Sequence, residues 1–190
     1  MAPGAPARAH EDRSGQLLAR LRLGDVTALD GALEQYWGPV LGYLTRWLGS
    51  ADAAEDVAQR TFVRLWERRR EWRLDGSLRG LLFRVARNLA ISDQRNLRAR
   101  GRAQERYVQA DSQTRGGALE ALEQQQLGVA LDAAIRRLPE RRREVFVLRC
   151  VHGFSHREIA ELMGISEQTV ANQLNRALAT LRQLLADILD

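Results

Sequence analysis

The sequence predicts an all-α protein: two small helical domains joined by a flexible linker, the C-terminal one a helix-turn-helix. Three observations predict it. Apolar residues recur at helical spacing over segments of helix length, in a chain with only four prolines among 190 residues. That periodicity lapses over 101–120, GRAQERYVQADSQTRGGALE, where Gly, Ser, Gln, Asp and Arg gather as they do in linkers. Beyond it, residues 155–176, SHREIAELMGISEQTVANQLNR, carry the caps, glycine and apolar spacing of two helices meeting at a sharp turn.

In order along the chain, residues 1–14 hold no apolar segment of the kind a secretory signal needs and read as a disordered lead-in. The first domain spans 15–100. Leu29, Leu33, Tyr36, Trp37, Val40, Leu41, Leu44 and Leu48 form a helical stripe that Gly49 ends. Asp52 and Glu55 form a capping box for a second helix, with Val57, Thr61, Phe62, Leu65 and Trp66 as its buried edge. A polar loop from Arg70 to Gly76 leads to Ser77, the cap of a third long helix striped by Leu78, Leu81, Leu82, Val85, Leu89 and Ala90.

The second domain spans 121–190, with helical character resuming near Leu119. Leu138-Pro139 marks a break, and Pro139 suits a first helical turn because its missing N–H is unpaired there anyway. The helix over 139–151 carries Val145, Phe146, Leu148 and Val151, and Gly153 ends it. Within the helix-turn-helix, Ala160 allows close helix approach, Gly164 permits the turn and Val170 plugs the angle between the helices. Ser155 with Glu158 forms a capping box, and Ser166 caps the second helix. That helix continues as a stripe of Val170, Leu174, Ala177, Leu178, Leu181, Leu184, Leu185 and Ile188. An ordinary helical hairpin shares the stripe but needs neither the two caps nor the Ala-x3-Gly-x5-Val spacing.

The net charge is +5 and the pI near 10.5, which suits a polyanionic partner. All 29 basic residues are arginine, a bias that a GC-rich genome alone produces, so clustering is the better evidence. Arg95, Arg98, Arg100, Arg102 and Arg106 crowd the end of the third helix with Glu105 as their acidic company. They read either as a solvated face or as a phosphate-binding edge. A single cysteine, Cys150, excludes an internal disulfide and fits a reducing, cytoplasmic compartment. No apolar run approaches the roughly 18 to 20 residues of a membrane helix, so no membrane insertion is expected. Cys150, His152 and His156 include metal-ligand types but lack a fourth ligand, and Cys150 reads instead as a small packed residue. No catalytic triad, Gly-rich phosphate loop or paired-carboxylate pocket stands out. The expectation is a protein with no cofactor, no metal and no enzymatic activity.

Three stretches together resemble a known family. Residues 49–69, GSADAAEDVAQRTFVRLWERR, residues 77–100, SLRGLLFRVARNLAISDQRNLRAR, and residues 138–182, LPERRREVFVLRCVHGFSHREIAELMGISEQTVANQLNRALATLR, are similar to bacterial sigma factors of the extracytoplasmic-function group. Members of that sigma-70-type group are dissociable promoter-recognition subunits of RNA polymerase. The resemblance implies that the first stretch docks on the clamp helices of the polymerase largest subunit through Asp52, Glu55, Asp56, Gln59, Phe62, Leu65 and Trp66. Phe62 and Trp66 lie four apart on one helical face, so core burial is an open alternative for both.

The second stretch and the loop before it imply melting and reading of the −10 element by Trp72, Arg73, Asp75, Arg84, Arg87, Asn88 and Arg95. Unpaired bases offer faces for stacking and edges for hydrogen bonding, which the tryptophan, arginines and asparagine suit. Trp72 also suits a cover for the bundle end, and Arg84 and Arg87 a solvated face. The third stretch implies that Arg157, Ser166, Glu167, Gln168, Thr169, Asn172, Gln173 and Arg176 read the −35 element in the major groove of double-stranded DNA. The implied partners are core RNA polymerase, promoter DNA with its melted non-template strand, and an anti-sigma factor. LRCVHGFSHREIAELMGIS faintly resembles the iron-uptake branch, which implies a membrane-anchored regulator.

Departures from the family pattern qualify these roles. Arg60 stands where an acidic residue is usual, which alters the docking electrostatics. Thr61 beside it offers a hydroxyl whose phosphorylation restores negative charge. Ser92 replaces a frequent aspartate, with Asp93 following, and Ala171 replaces a frequent cation just after the valine. Two other classes compete. A two-domain regulator with a receiver domain needs alternating strands and helices in the N-terminal half, and that half is helical throughout. A helical adaptor needs neither the basic helix nor the helix-turn-helix.

Overall fold

The computed structural model describes residues 15–72, 77–101, 128 and 131–189, and every regular element among them is helical. They divide into two compact units. One holds the described residues up to Leu44 and those from Asp52 through the end of the third long helix, and the other holds Thr45–Ala51 and the residues from 128 onward.

The first unit takes α1 (15–22), α2 (Val26–Leu48) as far as Leu44, α3 (Ala51–Glu67) from Asp52 onward, and α4 (Leu78–Gly101). Asp25 organises the first turn, accepting from the Thr27 amide at 2.9 Å and from Arg20 Nε at 2.8 Å. The Thr27 hydroxyl, donating to the same carboxylate at 2.7 Å, and then Arg20 favour the charged form most and hold the carboxyl below the usual carboxylate range. The core gathers Leu18 and Leu21 of α1, Ala28, Ala32, Tyr36, Val40, Tyr43 and Leu44 of α2, and Leu78, Leu82, Phe83, Ala86 and Ala90 of α4. Tyr43 meets Phe83 at 5.1 Å between ring centroids, a tilted pair within the favourable aromatic range. At Gly31 a Cβ would come within 3.3 Å of the Leu17 side chain, so glycine lets α1 lie close against α2.

The α2 stripe is rotated from its expected position. Its deepest line runs Ala28, Ala32, Tyr36, Val40 and Tyr43, while Leu29, Leu33, Trp37, Leu41 and Leu48 flank it half-buried. The reason is steric: small alanines sit where helices approach most closely, and larger leucines fill the margins. α3 begins at Ala51, so Asp52 lies inside its first turn, favoured there by the helix dipole, and not at the cap. Ser77 does cap α4, its Oγ accepting from the Gly80 amide at 3.0 Å.

In the second unit, α5 (131–137) precedes α6 (Glu140–Phe146), which passes into a single π-helical turn, Val147–Val151. Pro139 stands at the N-cap of α6, one position before its expected place in the first turn. Arg143 of α6 donates from Nη2 to the carbonyl oxygens of Arg136 and Leu138, satisfying the end of α5, and its burial lowers the guanidinium pKa. The π turn inserts one residue into the helical register, which rotates the downstream side chains by about 100°. Val151, expected in the core, is therefore 43% exposed, and Phe154 beyond it is buried. Cys150 is exposed on the same turn and not packed. α7 (His156–Met163) and α8 (Glu167–Leu189) complete the unit, and both α6 and α7 pack on α8.

The proposed lead-in (1–14), most of the linker (102–120), Arg73, Asp75, and Arg102 and Arg106 of the basic run lie outside the described residues, as do the side chains of Arg98, Arg100 and Ile188.

Candidate nucleic-acid interface

The helix-turn-helix is built from local instructions. Ser155 Oγ accepts from the Glu158 amide at 3.2 Å, while the Glu158 carboxylate accepts from the Ser155 amide at 2.7 Å, the reciprocal capping box expected there. Gly164 ends α7 with φ +66°, a left-handed conformation that costs an L side chain on the order of 1 kcal/mol or more. Ser166 starts α8 by accepting from the Thr169 amide at 3.1 Å. Val170 is fully buried, and Ile159, Ala160, Leu162, Ala177 and Leu181 close the apolar angle around it.

This packing fixes which side of α8 stays open. Glu167, Gln168, Asn172 and Arg176 are exposed, and Thr169 and Gln173 half-buried. Gln168, Asn172 and Arg176 succeed one another at four-residue steps, so they form one row along the N-terminal half of the helix. Gln168 Nε2 donates to Asn172 Oδ1 at 3.2 Å, holding the two amides side by side. Asn175 lies exposed at the edge of this row. It is not among the residues expected from sequence, although its seven-residue spacing from Gln168 signals the shared face. Ser166 is exposed but its hydroxyl is engaged by the Thr169 amide and hydroxyl. On α7, Arg157 pairs with Glu161 at 3.1 Å, with both side chains largely in solvent. Such a pair is weak enough to exchange for a phosphate.

On α4, Arg84, Asn88 and Arg95 are exposed and fall within about 40° of one another around the helix axis. Arg87 is half-buried on a different side. The structure thus separates the four expected residues into one open row of three and a flanking arginine. Trp72 is half-buried, and its indole Nε1 donates to the Leu65 carbonyl at 3.0 Å. Its polar edge therefore closes the end of α3, the bundle-covering alternative raised for this residue.

α3 carries the largest revision. Phe62 is 4% exposed, with its ring centroid 5.8 Å from that of Trp37, and Leu65 is fully buried. Both belong to the core and are removed from the expected docking face. Thr61 is fully buried too, its hydroxyl donating to the Val57 carbonyl at 2.7 Å, which removes it as a phosphorylation site. The open face holds Asp52, Glu55, Asp56 and Gln59, with Trp66 half-exposed at its end. At its centre stands Val63, 55% exposed, a residue that the sequence hides because its apolar type does not distinguish it from the buried edge. Arg69 lies over the Trp66 ring, 4.3 Å from its centroid, and donates to the Trp66 carbonyl, fixing the indole in place.

Arg60 is not a bare cation on that face. It pairs with Asp56 at 2.8 Å and grips both carboxylate oxygens of Asp93 on α4, one of them at 3.2 Å. The hydrogen bond to Asp93 is the main cause that raises the guanidinium pKa.

No group of three or more His, Cys, Asp or Glu residues able to hold a metal ion occurs among the described residues. No helix among them is long and apolar enough to cross a membrane.

Comparison with known proteins agrees with both units. Residues 32–102 match the family model for sigma-70 region 2, and residues 128–181 match that for sigma-70 region 4. The chain is 28% identical over 192 residues to the RNA polymerase sigma-H factor of Pseudomonas aeruginosa, covering 94% of this chain and 97% of that one. It is 31% identical over 155 residues to the ECF RNA polymerase sigma factor SigL of Mycobacterium tuberculosis, covering 77% and 82%. Among solved structures, CnrH in complex with the cytosolic domain of CnrY matches with a TM-score of 0.67 and 26% identity, over 92% of this chain and 98% of that one. The chain belongs to the extracytoplasmic-function group of sigma-70-type RNA polymerase sigma factors, the subunits that direct promoter-specific transcription initiation.

Proposed function

We propose that initiation is divided among three surfaces of this chain. The α3 face of Asp52, Glu55, Asp56, Gln59, Val63 and Trp66 docks on the clamp helices of core polymerase. An apolar residue ringed by polar and acidic groups suits an interface with a desolvated centre and a charged rim. The α4 row of Arg84, Asn88 and Arg95, with Arg87 beside it, holds the −10 element and its melted non-template strand through phosphate contacts and one amide. Arg73 and Asp75, in the loop before α4, belong to the same proposed site. Trp72 serves that loop as an anchor at the end of α3.

The α8 row reads the −35 element in the major groove. Gln168 and Asn172 offer amides to base edges, Glu167, Thr169, Gln173 and Arg176 flank them, and Arg157 and Ser166 sit toward the backbone. One observation carries the reading: a doubly capped helix-turn-helix that leaves a polar row open at the N-terminal half of its second helix. Because Ala171 supplies no cation, the second unit alone binds DNA weakly and depends on polymerase. Domain limits of 15–100 and 121–190 with a tether between them fit this division.

Control by a protein partner is supported by the solved complex of CnrH with the cytosolic domain of CnrY, and the family resemblance assigns that partner to the anti-sigma factors. A place in the iron-uptake branch rests on residues 148–166 alone and implies a membrane-anchored regulator. The protein acts in the cytoplasm and performs no chemistry of its own in this reading. The test is co-purification with core polymerase and then run-off transcription from genomic fragments. A specific transcript that depends on this chain supports the proposal, and initiation on no fragment sinks it.

A further inference from the structure

Arg60 and Asp93 are 33 positions apart in sequence and close the gap between α3 and α4. Arg60 of α3 is a cation beside the acidic residues Asp52, Glu55 and Asp56, and Asp93 of α4 supplies the acid that receives it. Both terminal nitrogens of the guanidinium are occupied: Nη1 by Asp93 Oδ1, and Nη2 by Asp93 Oδ2 and by Asp56. The Arg60 side chain is 38% exposed, but its Nε is buried, so the guanidinium is anchored on its inner side while its outer side meets solvent. A single exposed ion pair orders little, because side-chain entropy and screening offset its attraction. A bidentate arginine that shares a second carboxylate has fixed direction and spacing, and it defines the position of two helices relative to each other.

We propose that Arg60 is a positioning residue, a clamp closed by Asp93 and Asp56 that holds the promoter-facing helix α4 in register with the polymerase-facing helix α3. The proposal rests on the functional assignment of those two faces. Polymerase fixes α3, and the clamp passes that placement to the Arg84, Asn88 and Arg95 row. A charge meant for polymerase itself would behave otherwise: replacing Arg60 by an acid would then improve docking and leave promoter opening intact.

Charge exchange separates the two. The full-length chain is prepared as wild type, Arg60→Glu, Asp93→Arg, the double exchange and the neutral Arg60→Gln. Circular dichroism confirms folding. Core affinity is measured by fluorescence anisotropy, and promoter opening by permanganate reactivity at saturating holoenzyme, well below the melting temperature. The clamp predicts that each single exchange slows opening about tenfold with core bound, and that the double exchange recovers most of the rate, as coupled neighbours do. Arg60→Gln falls between, and it carries the test if an exchanged variant does not fold. Opening at the wild-type rate in Arg60→Glu or Arg60→Gln, or a double exchange no faster than the slower single, overturns the clamp. A wild-type holoenzyme that opens no promoter removes the functional reading itself and the clamp with it, an outcome distinct from a normal wild type with unaffected variants.

Discussion

The two helices proposed to face DNA, α4 and α8, are made in opposite ways. α8 is specified locally: its cap is Ser166, the turn before it is Gly164, and its buried plug is Val170, all within seven residues. α4 is capped locally by Ser77, but its placement depends on distant partners, with Phe83 against Tyr43 and Asp93 in the grip of Arg60. A reading head assembled from neighbours in sequence can be recognised from sequence. A helix placed by tertiary contacts shows its extent in the sequence but not its placement, because the residues it faces are scattered over the chain. The contrast also bears on mechanism: the major groove has a fixed shape that a self-contained head can match, whereas melting needs a surface tied to polymerase.

The comparison breaks most visibly in the core of the first unit. Phe62→Ala is expected to cost about 3 to 5 kcal/mol, a large share of a domain's stability. The α4 row should lose its support while α8 keeps its fold. Thermal unfolding monitored by circular dichroism checks this, and a normal melting temperature combined with lost core binding would return Phe62 to the docking face. Arg176→Ala should remove about 1 to 3 kcal/mol of promoter binding without shifting the melting temperature, because the Arg176 side chain is exposed and lies outside the core. Unchanged transcription from the cognate promoter would withdraw Arg176 from the reading row.

Ser155→Ala sharpens the claim that α7 and α8 are locally specified. Loss of the capping box should cost about 1 kcal/mol, read as a lower denaturant midpoint. A midpoint that does not move would mean that tertiary packing carries the helix-turn-helix as well. The smallest effect is expected at Arg157, already paired with Glu161 in solvent. Arg157→Ala should weaken holoenzyme binding equally on different promoters and reduce the logarithmic salt slope by about one. A change of sequence preference would place Arg157 on a base.

Legibility in the sequence divides along the same line. The capping box of α7, the glycine turn, the Ser166 cap and the buried valine are all local patterns, and the structure places each where the residues indicate. The helical extents of α2 and α4 are also legible from apolar period. Rotation of a helix about its axis is less so. In α2 the deepest line passes through alanines that hydropathy underweights, and in α3 Phe62 and Leu65 turn inward while Val63, just as apolar by type, turns out. A helix with apolar residues on more than half its circumference does not announce which part meets its own domain and which awaits a partner. The π turn at Val147–Val151 leaves no signal in composition, and it turns Val151 out of the core side expected for it. The pairing of Arg60 with Asp93 is hidden for a simpler reason: an ion pair between helices has no fixed spacing in sequence.

If α4 and α8 divide promoter recognition between them, a footprint of the holoenzyme shows it most directly. With wild-type chain, hydroxyl-radical protection at −35 and permanganate-reactive thymines at −10 should appear together. Asn88→Ala combined with Arg84→Ala should abolish the reactive thymines and keep the −35 protection, while Gln168→Ala with Arg176→Ala should erase the −35 protection first. Loss of −35 protection from the α4 variants, or full protection with the α8 variants, would contradict the division.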